Sequence, residues 1–350
     1  MSNDNKTGLV QTVLGLVKPD ELGVTTTHEH LLIDFLPTFQ PSLSETDQAK
    51  ALEPLTLENL GWARYNPFRN RDNLTLLDES TTIAEAKRFK LAGGGTIVDA
   101  TTYGIGRNPQ ALARISNATE LHIVMGAGYY VGAVHPDGMD QKTESELADE
   151  IIEQINVGVD DTDIKAGIIG EIGCSWPLTK NERKVLCAAA SAQRKTGTSI
   201  LIHPGRDTAA PKEILSILSD AGADLTRVII AHLDRTFSNI TDILEIAETG
   251  CYLEYDLFGW ETSFYPLSSL DMLSDAQRIN FIVQLIDNGY VSKIVLAHDI
   301  CFKTAITKYG GHGFAHILEN IVPRMKEKGI NQNEIDQMLI ENPKKLLTIL

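Results

Sequence analysis

The chain has 350 residues, of which 43% are hydrophobic and 22% charged, and it carries a formal net charge of −16. That balance is ordinary for a folded α/β protein and excludes a disordered or collagen-like polymer. No apolar run approaches the ~18 residues of a membrane helix, and with no basic stripe to offset the acidity, nucleic acid is excluded as a partner.

Taken in chain order, residues 9–22 read as a β-hairpin that would plug one end of a barrel. Eight short β-branched runs follow, at 23–28, 96–101, 122–126, 166–171, 199–203, 227–232, 251–255 and 293–298. Between them lie stretches with apolar residues at helical spacing, such as 80–92, 144–156, 181–196, 211–221, 240–249 and 275–288. Tracts such as Val228-Ile229-Ile230-Ala231 are apolar throughout, as expected of strands covered on both faces. Eight alternating units predict a (β/α)8 TIM barrel, one domain over residues 1–350. Two long insertions interrupt the repeat, 34–78 after strand one and 258–274 after strand seven. Both are placed to overhang the catalytic end, with Trp62, Tyr65 and Phe68 as candidates to cover the mouth. A doubly wound open sheet would carry a glycine-rich dinucleotide loop, and Gly126, Gly128 and Gly132 have the wrong spacing for one.

Histidine placement carries the chemistry. Five of the nine histidines, His28, His30, His203, His232 and His298, fall at C-terminal strand ends, where a barrel builds its active site. Residues two apart on a strand share a face, so His28 and His30 can bind one ion together while Glu29 points outward. Glu171 on strand four and Asp299 after strand eight would converge on the same mouth. His122, His312 and His316 read as packing or surface residues, the last two sharing a helical face, and His298 as support for its neighbour Asp299.

Through Thr27-His28-Glu29-His30, Gly170-Glu171-Ile172-Gly173, His203-Pro204-Gly205-Arg206, His232-Leu233-Asp234-Arg235 and His298-Asp299, the sequence resembles the phosphotriesterase branch of the amidohydrolase superfamily over nearly its whole length. Residues 167–178 look most like an animal subgroup of that family, whose implied activity is hydrolysis of N-acetyltaurine and similar N-acyl compounds. The resemblance implies two divalent ions, zinc being the commonest choice. His28, His30 and Asp299 would hold the deeper ion, His203 and His232 the outer one, and Glu171 would bridge them. Bacterial members place a carbamylated lysine at that bridge. A glutamate carboxyl lies three bonds closer to the backbone, so the strand must approach the ions, and Gly170 and Gly173 would permit it.

With such ions in place, a bridging hydroxide is the expected nucleophile and Asp299 the catalytic proton acceptor and donor. Two dications less Glu171, Asp299 and hydroxide leave one positive charge, which suits a small anionic N-acyl substrate. Arg206 and Arg235 could clamp its acid group, or instead pair with Asp207 or Asp234, and Tyr130 could line the pocket. Lactone or phosphotriester hydrolysis on the same centre is the nearer alternative. A metal-free glycosidase pairing Glu171 with Glu254 or Asp256, or a non-catalytic metal-binding barrel, is more distant. Cys174, Cys187, Cys251 and Cys301 form no Cys-x-x-Cys pair and should be reduced and mostly buried. The polar opening tract lacks a secretory apolar core, so the cytosol is the expected location, with no membrane partner. Oligomeric state is left open, and a homodimer is compatible with the sequence.

Overall fold

In the computed structural model, which describes residues 6–42, 44–262 and 264–350, eight parallel strands form one sheet in sequential order. The opening tract 1–5 and positions 43 and 263 of the two insertions lie outside the described residues. The strands are β1 (Val24–Glu29), β2 (Gly94–Asp99), β3 (His122–Ala127), β4 (Ile168–Gly173), β5 (Ile200–His203), β6 (Val228–Ile230), β7 (Tyr252–Tyr255) and β8 (Ile294–Leu296). The two ends of the sheet meet where the Asp299 N–H donates to the His28 carbonyl at 3.1 Å, which brings the ring nearly to closure.

Alternation along each strand feeds two apolar layers. Val98, Val124, Ile168, Leu201, Ile229 and Val295 fill the barrel, while Ile97, Ile123, Ile169, Ile200, Ile230 and Leu296 pack outward against the helices. Truncating one of these fully buried side chains to alanine costs about 2–5 kcal/mol. Helices start where the sequence offers caps: Thr179 and Glu182 form a capping box at Lys180–Thr196, as do Thr143 and Glu146 at Glu144–Asn156. The helix Pro109–Thr119 between β2 and β3, capped by Asn108, completes the alternation. No helix among the described residues is long and apolar enough to cross a membrane.

The expected hairpin is present, Val10–Thr12 pairing antiparallel with Gly15–Val17. It docks on the N-terminal end of the barrel, where the Val13 N–H reaches the Ile123 carbonyl at 2.9 Å. It does not close that end alone, because Val10 shares the barrel core with Leu346 and Leu347 from the C-terminal helix Asn342–Leu347.

Both insertions lie over the opposite end. The first is tied at its base by Ile33–Asp34 pairing with Thr75–Leu76. Its Phe68 packs against Phe302 with ring centroids 5.3 Å apart, and its Tyr65 stacks on Phe264 of the second insertion at 5.1 Å. Trp62 departs from expectation: its indole N–H donates to Asp47 and Lys50 lies over its ring, so it holds the insertion together and does not cover the mouth.

Candidate metal centre

The strands that supply the site are irregular where they supply it. β1 shifts register against β2 between Thr26 and Glu29, and β4 against β5 between Ile169 and Ile172, so His28 and Glu171 both sit at bulges, which re-aim side chains. At Gly170, with φ +129°, a Cβ would stand 2.2 Å from the Leu201 carbonyl oxygen; at Gly173 it would stand 2.1 Å from the Val131 nitrogen. Only glycine allows β4 to press this far between its neighbours. His232 and Asp299 take positive φ, 58° and 49°, uncommon for residues with side chains. Asp256 holds the first by accepting the His232 N–H with both oxygens, and the Asp299 N–H bond to His28 holds the second.

Six side chains from five strands or their ends meet there. Glu171 lies 3.4 Å from His28 Nε2 and 3.4 Å from His30 Nε2. It accepts from or faces His203 Nδ1 at 2.9 Å and stands 3.9 Å from His232 Nε2. His232 Nε2 lies 2.8 Å from His203 Nδ1, and Asp299 lies 3.2 Å from His30 Nε2. His28, His30 and Asp299 could hold one cation, as could His28, Glu171 and His232.

The opposite ring nitrogens are occupied, which fixes the imidazoles. His28 Nδ1 faces Glu254 at 3.2 Å and Asp256 at 3.1 Å, His232 Nδ1 faces Asp256 at 2.9 Å, and His30 Nδ1 faces the Thr101 hydroxyl at 2.9 Å. His28 Nε2 is thereby aimed inward, buried and without a hydrogen-bond partner among the described residues. A carboxylate behind an imidazole raises its basicity as a ligand. Burial works against a charge on His28 and His30, yet the surrounding carboxylates outweigh it, raising His28 well above its ordinary pKa and His30 to about 9. Burial likewise opposes ionisation of Glu171, but His28 and His203 hold its carboxyl well below the usual range. A site that favours positive charge at His28 and His30 while burial and His232 hold His203 well below its ordinary pKa, with mixed nitrogen and oxygen donors and an inward nitrogen left unpaired, fits a divalent metal ion.

Glu254 and Asp256 were legible in the sequence only as rival catalytic carboxylates. Both are fully buried, and Glu254 also takes the Thr27 hydroxyl at 2.5 Å, so they are spent on orienting histidines and unavailable as a glycosidase pair. Glu29 does point away from the site, but into protein, where it accepts from His298 Nδ1 at 2.6 Å and from two backbone N–H groups. His312 and His316 do not share a helical face. His312 precedes the helix, and its ring stands 5.9 Å from His298 and 5.4 Å from His316. All four cysteines are free, with Cys187 half-buried and the others buried.

Over the gathered imidazoles and carboxylates lies a cavity of about 30 Å³, room for a water or two. Phe35, Phe68, Leu257, Trp260, Tyr265 and Phe302 roof it, and Tyr130, Arg206 and Arg235 line its side. The tyrosine ring packs edge-on to His203 at 5.0 Å. Neither arginine takes the carboxylate partner weighed for it. Asp234 is bound by Arg278 at 2.7 Å, and Asp207 accepts the Ala209 N–H. Arg206 Nε donates to the Tyr265 hydroxyl at 2.6 Å, while Arg235 donates to the Pro204 carbonyl, faces His203 Nε2 at 3.2 Å and keeps Nη1 buried without a partner among the described residues.

A parallel barrel with imidazoles and carboxylates gathered at its C-terminal rim is the layout of a metal-dependent hydrolase. The chain belongs to the phosphotriesterase family, whose model matches residues 8–347, and it is a hydrolase. It is 48% identical to a phosphotriesterase-related protein of Nematostella vectensis, covering 97% of this chain and 99% of that one. It is equally 48% identical to the N-acetyltaurine hydrolase of Dictyostelium discoideum, over 98% of both chains. Among solved structures it superposes on a resiniferatoxin-binding protein from Rhodobacter sphaeroides with a TM-score of 0.94 at 35% identity, covering 97% of this chain and 95% of that one.

Proposed function

We propose that the protein hydrolyses small anionic N-acyl compounds, foremost N-acetyltaurine to taurine and acetate. In this reading it uses two divalent ions, zinc by preference: His28, His30 and Asp299 hold one, His203 and His232 the other, and Glu171 stands between. The observation that carries it is the reach of Glu171, whose carboxylate lies 3.4 Å from His28 and His30 and 2.9 Å from His203. The names of relatives at this level of identity support the substrate.

The ions, when bound, supply Lewis acidity and a water that ionises near neutral pH. Asp299 takes that water's proton on a carboxylate oxygen and passes it to the departing nitrogen. The anionic end of the substrate is held by Arg235, through the Nη1 that has no partner among the described residues, and by Arg206, with the Tyr130 ring at their side, once the aromatic roof over this space of about 30 Å³ moves outward to admit it. The preference for an anion rests on these two guanidinium groups, because the single positive charge counted from the sequence is cancelled once ionised Asp256 is included behind His28 and His232.

The reading is tested by specificity constants of the zinc-loaded enzyme on N-acetyltaurine, an N-acetyl amino acid, a lactone and a phosphotriester. N-acetyltaurine should give the highest value; a lactone or phosphotriester ahead of both amides would overturn amide hydrolysis. With glutamate at the bridge, apoprotein reconstituted in carbon dioxide-free buffer should regain the same metal content and activity as with bicarbonate. A bicarbonate requirement would remove Glu171 from the bridge.

A further inference from the structure

Beside the metal centre, on the other side of Asp299, lies a larger cavity of about 570 Å³. That is within the range of small-molecule sites, whereas the space directly over the imidazoles measures about 30 Å³. Trp260, Asp299 and Phe302 line both. The two aromatic rings cross edge to face at 5.3 Å and form a partition. Asp299 is the most open of the six gathered side chains, with 12% of its side chain exposed against 6% or less for the others. An amine that takes its proton from Asp299 is therefore released at this partition.

The walls beyond it carry both signs of charge. Asp299 and Glu261 supply carboxylates, and Arg64, from the first insertion, supplies a guanidinium anchored through one amino group to the Gly310 carbonyl. Two of the lining imidazoles are already engaged through both nitrogens, His298 by Glu29 and the Ile317 N–H, His316 by Asp275 and Asn320. His312 keeps a buried Nε2 with no partner among the described residues. Trp260 and Phe302 offer apolar surface between the charged groups.

We infer that this cavity is an exit site for the amine product, bound as a short zwitterion: an aminosulfonate or ω-amino acid with its ammonium toward Asp299 and Glu261 and its acid group toward Arg64. Hydrolysis breaks the C–N bond; the acyl carbon takes the hydroxyl of water, the nitrogen takes water's other proton by way of Asp299 and leaves as the amine, and the amine becomes ammonium by taking the proton of the carboxylic acid just formed, which is left as carboxylate. The acid group exchanges Arg206 and Arg235 for Arg64 on the way out. The identity of the ligand rests on the amide-hydrolysis reading; the charge pattern of the cavity does not.

Calorimetric titration of the metal-loaded enzyme tests this with taurine, β-alanine, ethanesulfonate and ethylamine. The two zwitterions should bind, and each singly charged compound should bind at least about tenfold more weakly. Arg64→Gln should weaken taurine about tenfold, the order of one charge-assisted hydrogen bond, while Arg206→Ala leaves it within about threefold. Arg64 is exposed, so an unchanged melting temperature is expected of its variant. Absence of zwitterion binding, or affinity lost with Arg206→Ala and kept with Arg64→Gln, overturns the exit site. Arg64-dependent taurine binding in an enzyme that does not turn over N-acetyltaurine upholds the exit site and overturns the hydrolysis reading instead.

Discussion

Asp299→Asn should lower kcat by about 10²–10⁴, the range that a positioned acid–base group contributes. Asparagine keeps the shape of the side chain and an oxygen that can face His30, but its amide cannot accept a proton from water and return it to nitrogen. Because Asp299 is only partly buried and its backbone is held through the His28 carbonyl, the variant should fold with an unchanged circular dichroism spectrum. Steady-state kinetics on protein of verified metal content provide the check, and a kcat within about threefold of the unaltered enzyme would reject the role. A lower activity explained entirely by lost metal would make Asp299 a ligand and nothing more.

Glu171→Gln should have the larger effect on assembly. Four imidazoles face this one carboxylate, and its ionised form is the charge they share. Glutamine fills the same volume between β3 and β5 yet removes the negative charge, so cations gathered on both sides lose their common counter-ion at a buried position, where charge is poorly screened. Metal content should fall from two ions per chain to one or fewer, and turnover by at least about a thousandfold. Elemental analysis after gel filtration, with kinetics on the same sample, measures both. Two ions and ordinary turnover in the variant would mean that the carboxylate bridges nothing.

Much of the architecture was legible because it follows from periodicity. Tracts such as Val228 to Ala231 announce strands buried on both faces, and Glu144 to Asn156 displays its helical spacing. The six gathered residues were legible for a related reason: each sits at the end of a strand, and in a parallel barrel all those ends share one rim. What the sequence concealed depends on contacts between distant segments. Glu254 on β7 and Asp256 just past its end stood out in the sequence only as acids, and only the fold shows that His28 and His232 stand against them, turning apparent catalytic acids into supports. The aromatic residues of the first insertion look alike in sequence. Packing separates Phe68 at the mouth from Tyr65 between the insertions and from Trp62 against Asp47 and Lys50. The large cavity beyond Asp299 draws on Arg64, Glu261 and His312, three residues with no common spacing or motif, so nothing short of the folded chain could have joined them.

The most direct measurement is anomalous diffraction at the zinc edge from crystals of the zinc-loaded protein. We expect two peaks per chain flanking the Glu171 carboxylate, one contacted by His28, His30 and Asp299 and the other by His203 and His232. A single peak, or density away from Glu171, would contradict the proposed centre.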